Sequence, residues 1–344
     1  MNDRLRDSAY VYDRDVFRPG MLFYRPGAAA WFGRLQGGSL EFCHQLRWNN
    51  WGFRDDVPYA PRSSAREFRI AVIGDSFTSN LDSEVAWPNL LDALLKERVG
   101  PQTQVFNLGL PGAGPANWMA LRGVVRLLAP DVVVLGCYDG ILSRPAIGFF
   151  ADQRRQRFYC RYGYPIHTTR PIGICDGAFR ARPDDERAAQ VRALDREQQA
   201  VHASVGAHLR TWVDRRWAGG RTIMQLNAER IRRIAGWAPA ALVVRCPSQA
   251  RFTGEAPEDA SAPALERAAT DAGAVVVDLC VELQGTAAER VYTADSRHWN
   301  VEGNRRVAER MAQCLEPILR SVRRGTRRPS GNAPDMQLPT YSHA

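Results

Sequence analysis

The chain has 344 residues, of which 45% are hydrophobic and 24% charged, and it carries a formal net charge of +9. That balance supplies a sizeable apolar core and excludes a disordered or fibrous class. Lys96 is the only lysine, so the excess of arginine reads as base composition, and no nucleic-acid partner is expected.

No apolar signal core follows Met1, and no apolar run approaches the length of a membrane span. The expectation is a cytoplasmic protein without a transmembrane segment. Seven cysteines are scattered along the chain, with Cys137, Cys246 and Cys280 at the ends of apolar runs. They read as reduced thiols rather than a disulfide framework.

Residues 1–67 read as an irregular, aromatic-rich segment that wraps a core. Its most distinctive part is Trp48-Asn49-Asn50-Trp51-Gly52-Phe53-Arg54-Asp55. The core domain spans 68–322. Its first strand is Arg69–Ile73, rich in β-branched residues and closed by the turn signal Gly74-Asp75. Ser76 follows directly. A helix is expected over Trp87–Leu95, a strand over Val105–Leu108, a helix from about Ala116 to Leu128 and a strand over Asp131–Gly136. Such alternation predicts parallel pairing with right-handed crossovers.

An insertion covers about 143–235. It opens with an Arg- and aromatic-rich loop over 143–183, then charged helical patterns over Asp184–Trp217 and about Ala228–Ile234. Cys160, His167 and Cys175 in that loop match no common metal-ligand spacing, and no metal or other cofactor is expected. Strands follow at Ala240–Arg245 and Ala274–Asp278, separated by a helix over about Pro263–Ala272. Asn300 is placed to cap a last helix over Val301–Val322. Residues 323–344 read as a disordered basic tail. The fold class expected is three-layer α/β/α with a five-stranded parallel sheet.

Two stretches carry the chemistry. Ser76 stands just past the first strand, at the sheet edge where ligands bind in open α/β folds. Asp295 and His298 lie between the fifth strand and the last helix. At this spacing a carboxylate can hold one imidazole nitrogen while the other faces a serine hydroxyl, as in a serine-histidine-aspartate triad. Two plainer readings stay open: Ser76 as a helix cap, and His298 as a surface residue at a helix start. Asp75 is expected to organise the turn rather than react.

These stretches resemble the SGNH hydrolases, the GDSL-type esterases and lipases. Gly74-Asp75-Ser76 matches their first block, Asn107-Leu108-Gly109-Leu110-Pro111-Gly112 their second, and Asp295-x-x-His298-x-Asn300-x-x-Gly303-Asn304 their fifth. Asn49-x-x-Gly52-Phe53-Arg54-Asp55 is similar to a segment that precedes this domain in many bacterial members. The resemblance covers about 45–145 and 240–320. It implies a flavodoxin-like fold and a Ser76–His298–Asp295 triad, with the backbone N–H groups of Ser76 and Gly112 as oxyanion donors. It also implies action on a small-molecule or carbohydrate ester, as esterase or O-acyltransferase.

The third block departs from the pattern. Where the family presents Gly-x-Asn-Asp, this chain has Gly136-Cys137-Tyr138-Asp139-Gly140. An ionised Asp139 only accepts hydrogen bonds, so it cannot replace the amide donor; Tyr138, Asn80 or Asn117 are the candidates to substitute. The rival expectation is a weak or inactive module that binds a glycan or protein partner through the insertion.

Overall fold

A computed structural model describes residues 10–12, 22–24, 27, 29–36, 39–144, 171–172, 186, 189, 222–283, 285–294 and 298–323. The expectations for Asp295, for Cys160, His167 and Cys175, for most of the insertion and for the tail beyond Arg323 lie outside the described residues.

The segment before the core contains regular structure that its composition did not announce. Strand β1 (Tyr10–Tyr12) pairs antiparallel with β2 (Leu22–Tyr24), and β3 (Ala29–Gln36) with β4 (Ser39–Arg47). In β4, His44 and Leu46 are buried while Gln45 and Arg47 are exposed. That is the period of two that marks a half-buried strand.

The core is a parallel sheet of β5 (Phe68–Gly74), β6 (Thr103–Gly109), β7 (Val132–Tyr138), β9 (Ala240–Cys246) and β10 (Val275–Asp278), in the order β6-β5-β7-β9-β10. A further strand, β8 (Pro171–Ile172), pairs with β3 outside this sheet. Counted along the chain, the core order is 2-1-3-4-5, the flavodoxin-like winding. The order reverses between β5 and β7, and the crevice beyond their carboxyl ends is where such sheets bind ligands.

Alternate residues of β5 feed two cores. Ile70 and Val72 pack with α2 (Trp87–Arg98) and with the last helix on one face. Ala71 and Ile73 pack on the other face with α4 (Arg122–Leu128), α5 (Ile223–Ala235) and α6 (Ala262–Asp271). The helix expected over 116–128 is broken: α3 (Pro115–Trp118) gives way to a single 3-10 turn before α4. Helix α5 begins earlier than apolar spacing suggests, because Thr222 and Gln225 form a reciprocal capping box. Helix α7 (Val301–Arg323) starts where expected, with the Asn300 side chain accepting the Gly303 N–H at 2.9 Å.

Candidate active site

Three strands carry a glycine at the same level: Gly74 is in register with Gly109 on one side and Gly136 on the other. This bare ledge lets the short helix α1 (Ser76–Ser79) press into the sheet edge. A Cβ on Gly136 would stand 2.3 Å from Thr78 Oγ1, and one on Gly109 would stand 2.4 Å from the Ser79 nitrogen. Close approach of backbone to backbone is what glycine permits. It sets the height at which Ser76 leaves the sheet.

The cap of α1 is Asp75, whose carboxylate accepts the Phe77 N–H at 2.9 Å. Ser76 is therefore not the cap, and it is partly open to solvent while Asp75 is buried. Arg144 reaches the other Asp75 oxygen at 2.8 Å and lies over the Tyr138 ring, 5.4 Å from its centroid. Asp75 organises the turn and is neutralised there.

His298 arrives from the far end of the chain. Its Nε2 lies 2.9 Å from Ser76 Oγ, a hydrogen bond that spans 222 residues of sequence. The backbone at the histidine and just after it is held by hydrogen bonds. Thr293 donates its N–H to the His298 carbonyl at 2.8 Å. Asn80 and Asn304 both donate to the Trp299 carbonyl, at 2.7 and 3.2 Å. Asn304 also accepts the Trp87 N–H at 2.9 Å. A Cβ on Gly303 would meet the Val291 carbonyl oxygen at 2.1 Å, so glycine is what lets α7 seat beside the histidine loop. Under the ring, Phe77 stands 4.9 Å from His298, centroid to centroid, stacks on Tyr138 at 4.6 Å and meets Trp299 edge-on at 5.3 Å.

The second imidazole nitrogen has a neighbour that the sequence did not single out. His298 Nδ1 is 2.5 Å from Asp82 Oδ2, and the Asp82 side chain is 3% exposed. Asp295, the carboxylate expected there, lies outside the described residues.

The candidate oxyanion donors come from three stretches of the chain. Gly112 adopts a left-handed backbone at φ +73° beyond β6. Asn80, in a left-handed cap at φ +37°, spends an amide N–H on Trp299. The Asn117 side-chain oxygen accepts the Gly114 N–H at 3.2 Å. Tyr138 has the Ser248 side chain at its hydroxyl, and burial holds that hydroxyl above the usual tyrosine range, so it stays protonated. Asp139 is engaged outside the Ser76–His298 pair: it accepts the Ser248 N–H at 2.7 Å and pairs with Arg251 at 2.9 Å. Arg251 bridges on to Asp278 at 2.9 Å. Asp139 thus ties β7 to the loop after β9.

No protein-family model matches the chain, and no curated protein matches it by sequence. Solved structures do resemble it. A lipase/acylhydrolase from Enterococcus faecalis is 13% identical with a TM-score of 0.38, over 73% of this chain and 96% of that one. A Clostridium thermocellum family 3 carbohydrate esterase is 12% identical with a TM-score of 0.41, over 75% and 99%. A two-domain esterase active on acetylated mannans is 14% identical with a TM-score of 0.41, over 78% of this chain and 53% of that one. The functional reading stands on the site's own atoms. No described helix is long and apolar enough to cross a membrane.

Proposed function

We propose that this protein is an SGNH-type serine esterase or O-acyltransferase acting on a small acyl ester, with acetylated carbohydrate as the first substrate class to try. One observation carries the reading: Ser76 Oγ and His298 Nε2 meet at 2.9 Å beyond the carboxyl end of β5, at the point where the strand order reverses. A hydroxyl within hydrogen-bond reach of an imidazole is the pairing that activates a serine.

In this mechanism Ser76 Oγ attacks the acyl carbonyl carbon and its proton passes to His298 Nε2. The carbonyl electrons move onto oxygen, which the Ser76 and Gly112 N–H groups receive. The intermediate collapses, and His298 returns the proton to the departing alkoxide. The acyl group is left on Ser76. Water or an acceptor hydroxyl then attacks, losing its proton to His298, and Ser76 regains a proton as the acyl group departs. A carboxylate on the far nitrogen stabilises the imidazolium in both halves. Asp295 is the sequence's candidate for that role, and Asp82 is the carboxylate described at Nδ1.

The test is labelling with a fluorophosphonate probe, followed by intact-mass and peptide analysis. A single adduct on Ser76, absent in Ser76→Ala, supports the reading. A second reading, a non-catalytic binding module, is favoured by the third block, where Tyr138 and Asp139 have neighbours elsewhere and neither is the family's amide. It gains if the folded wild type takes no label.

A further inference from the structure

We infer that Asp82 is the positioning carboxylate for His298, presented by a loop that Arg54 and His44 hold in shape. The inference rests on the serine-hydrolase reading and adds a residue to it.

The first support is geometric. The two nitrogens of one ring face two different groups, Nε2 on Ser76 Oγ at 2.9 Å and Nδ1 on Asp82 Oδ2 at 2.5 Å. The approach of Asp82 to Nδ1 becomes a charge pair once His298 carries a second ring proton. Catalytic hydrogen bonds are commonly loose before substrate arrives and tighten during reaction. A carboxylate that is 3% exposed is also costly to bury without a partner able to carry positive charge. Protonated His298 would be such a partner.

The second support is the loop, residues 79–84. The Arg54 guanidinium donates to the carbonyls of Ser79, Asn80, Ser83 and Glu84. His44 Nε2 bonds the Leu81 carbonyl at 2.8 Å. Of the six carbonyls in that loop, the five flanking Asp82's own are held by two side chains from the preceding segment. Arg54 and His44 are each 6% exposed. Two buried nitrogen-bearing side chains spent on five carbonyls of one loop make a rigid presentation for one side chain. Arg54 also brings positive charge into the same neighbourhood, since both Arg54 and Asp82 act electrostatically on His44.

In the reaction Asp82 takes no proton. It fixes the ring so that Nε2 faces Ser76, and its charge stabilises the imidazolium once the serine proton arrives.

The test uses the full chain labelled with 15N-histidine. In the wild type, the His298 Nδ1 proton should give a through-space NMR contact to the Asp82 β protons. A contact to Asp295 β protons instead overturns the inference without any variant having to fold. Asp82→Asn, checked for an unchanged circular dichroism spectrum, should slow fluorophosphonate labelling of Ser76 by ~10²–10⁴-fold and remove the low-field Nδ1 proton resonance. Its loss should exceed that of Asp295→Asn by at least ~10-fold. Equal losses, or the reverse ranking, overturn it. If wild-type Ser76 takes no label, the hydrolase reading falls, and the NMR contact still decides whether Asp82 holds the ring.

Discussion

Asn80 donates its side-chain N–H to the carbonyl of Trp299 at 2.7 Å, so the loop after Ser76 is tied to the residue after His298. The bond is buried and joins the two ends of the reacting pair. Asn80→Asp keeps the size and tolerates the left-handed backbone, but sets a carboxylate against a carbonyl. Loss of this buried donor should cost about 1–3 kcal/mol in denaturant unfolding and slow Ser76 labelling. An unchanged midpoint would remove Asn80 as the tie.

The glycine ledge gives a prediction with its own rescue. Gly136→Ala places a methyl 2.3 Å from Thr78 Oγ1 and 3.7 Å from Thr78 Cβ. Overpacking of this kind should cost about 1–3 kcal/mol. Adding Thr78→Ala removes the offending oxygen and should recover most of the loss. For Gly74→Ala the same second change should fail, because Thr78 Cβ at 2.7 Å and the Gly136 carbonyl at 3.0 Å remain in the way. Equal behaviour of the two pairs in thermal melts would count against the ledge.

His44 should make stability depend on pH. Burial, with Arg54 nearby, lowers its pKa from 6.5 to about 4 in the folded protein. Between those values the unfolded chain binds more protons than the folded one. The contribution is therefore complete above pH 6.5 and is lost as pH falls through that window toward 4. Linkage puts the loss at roughly 3 kcal/mol. His44→Gln keeps an N–H for Leu81 and removes the titration. Unfolding free energies measured at pH 7 and pH 4 should differ less in the variant than in the wild type; an identical difference would rule His44 out as the source.

Asp139 behaves differently from what its place in the third block suggests. As the residue standing where the family has an amide, it invites Asp139→Asn as a repair of the oxyanion site. Its carboxylate is instead spent on Ser248 and Arg251. The substitution should break that half-buried pair, destabilise the protein by about 1–3 kcal/mol and bring no gain in hydrolysis of a small aryl acetate. A gain would mean that Asp139 turns toward the substrate in solution.

Much of the core was legible because its signals are local. β-branched runs marked the five strands, and alternation with helices set the parallel pairing. Ser76 stood out because it follows a strand-to-turn signal, and His298 because Asp295 stands three residues before it, ahead of the last helix. Asp82 had no such mark: it sits in Ser79-Asn80-Leu81-Asp82-Ser83-Glu84, where every residue but Leu81 is polar. What gives it meaning is its contact with His298 and the hold of Arg54 and His44 on its loop, none of them near in sequence. The segment around Arg54 was visible as a motif, but its work was not. Asn49 Oδ1 accepts the N–H groups of Trp51 and Phe53, Gly52 takes φ +78°, and the resulting turn sends Phe53 into the core and Arg54 under the loop. The hairpin of β3 and β4 was missed because its alternation was read as a scatter of aromatics.

The separation of 222 in sequence between Ser76 and His298 has a consequence for how the protein is made. Arg54 and His44 leave the ribosome before the loop they grip, and Ser76 follows soon after. Ser76 and the loop that Arg54 and His44 grip are therefore made while most of the chain is still unwritten. The histidine is made after β9 and β10 and just before α7. A nascent chain short of residue 298 holds the serine and lacks the imidazole that meets it. Under the proposed chemistry, Ser76 gains its base only when nearly the whole chain has been made.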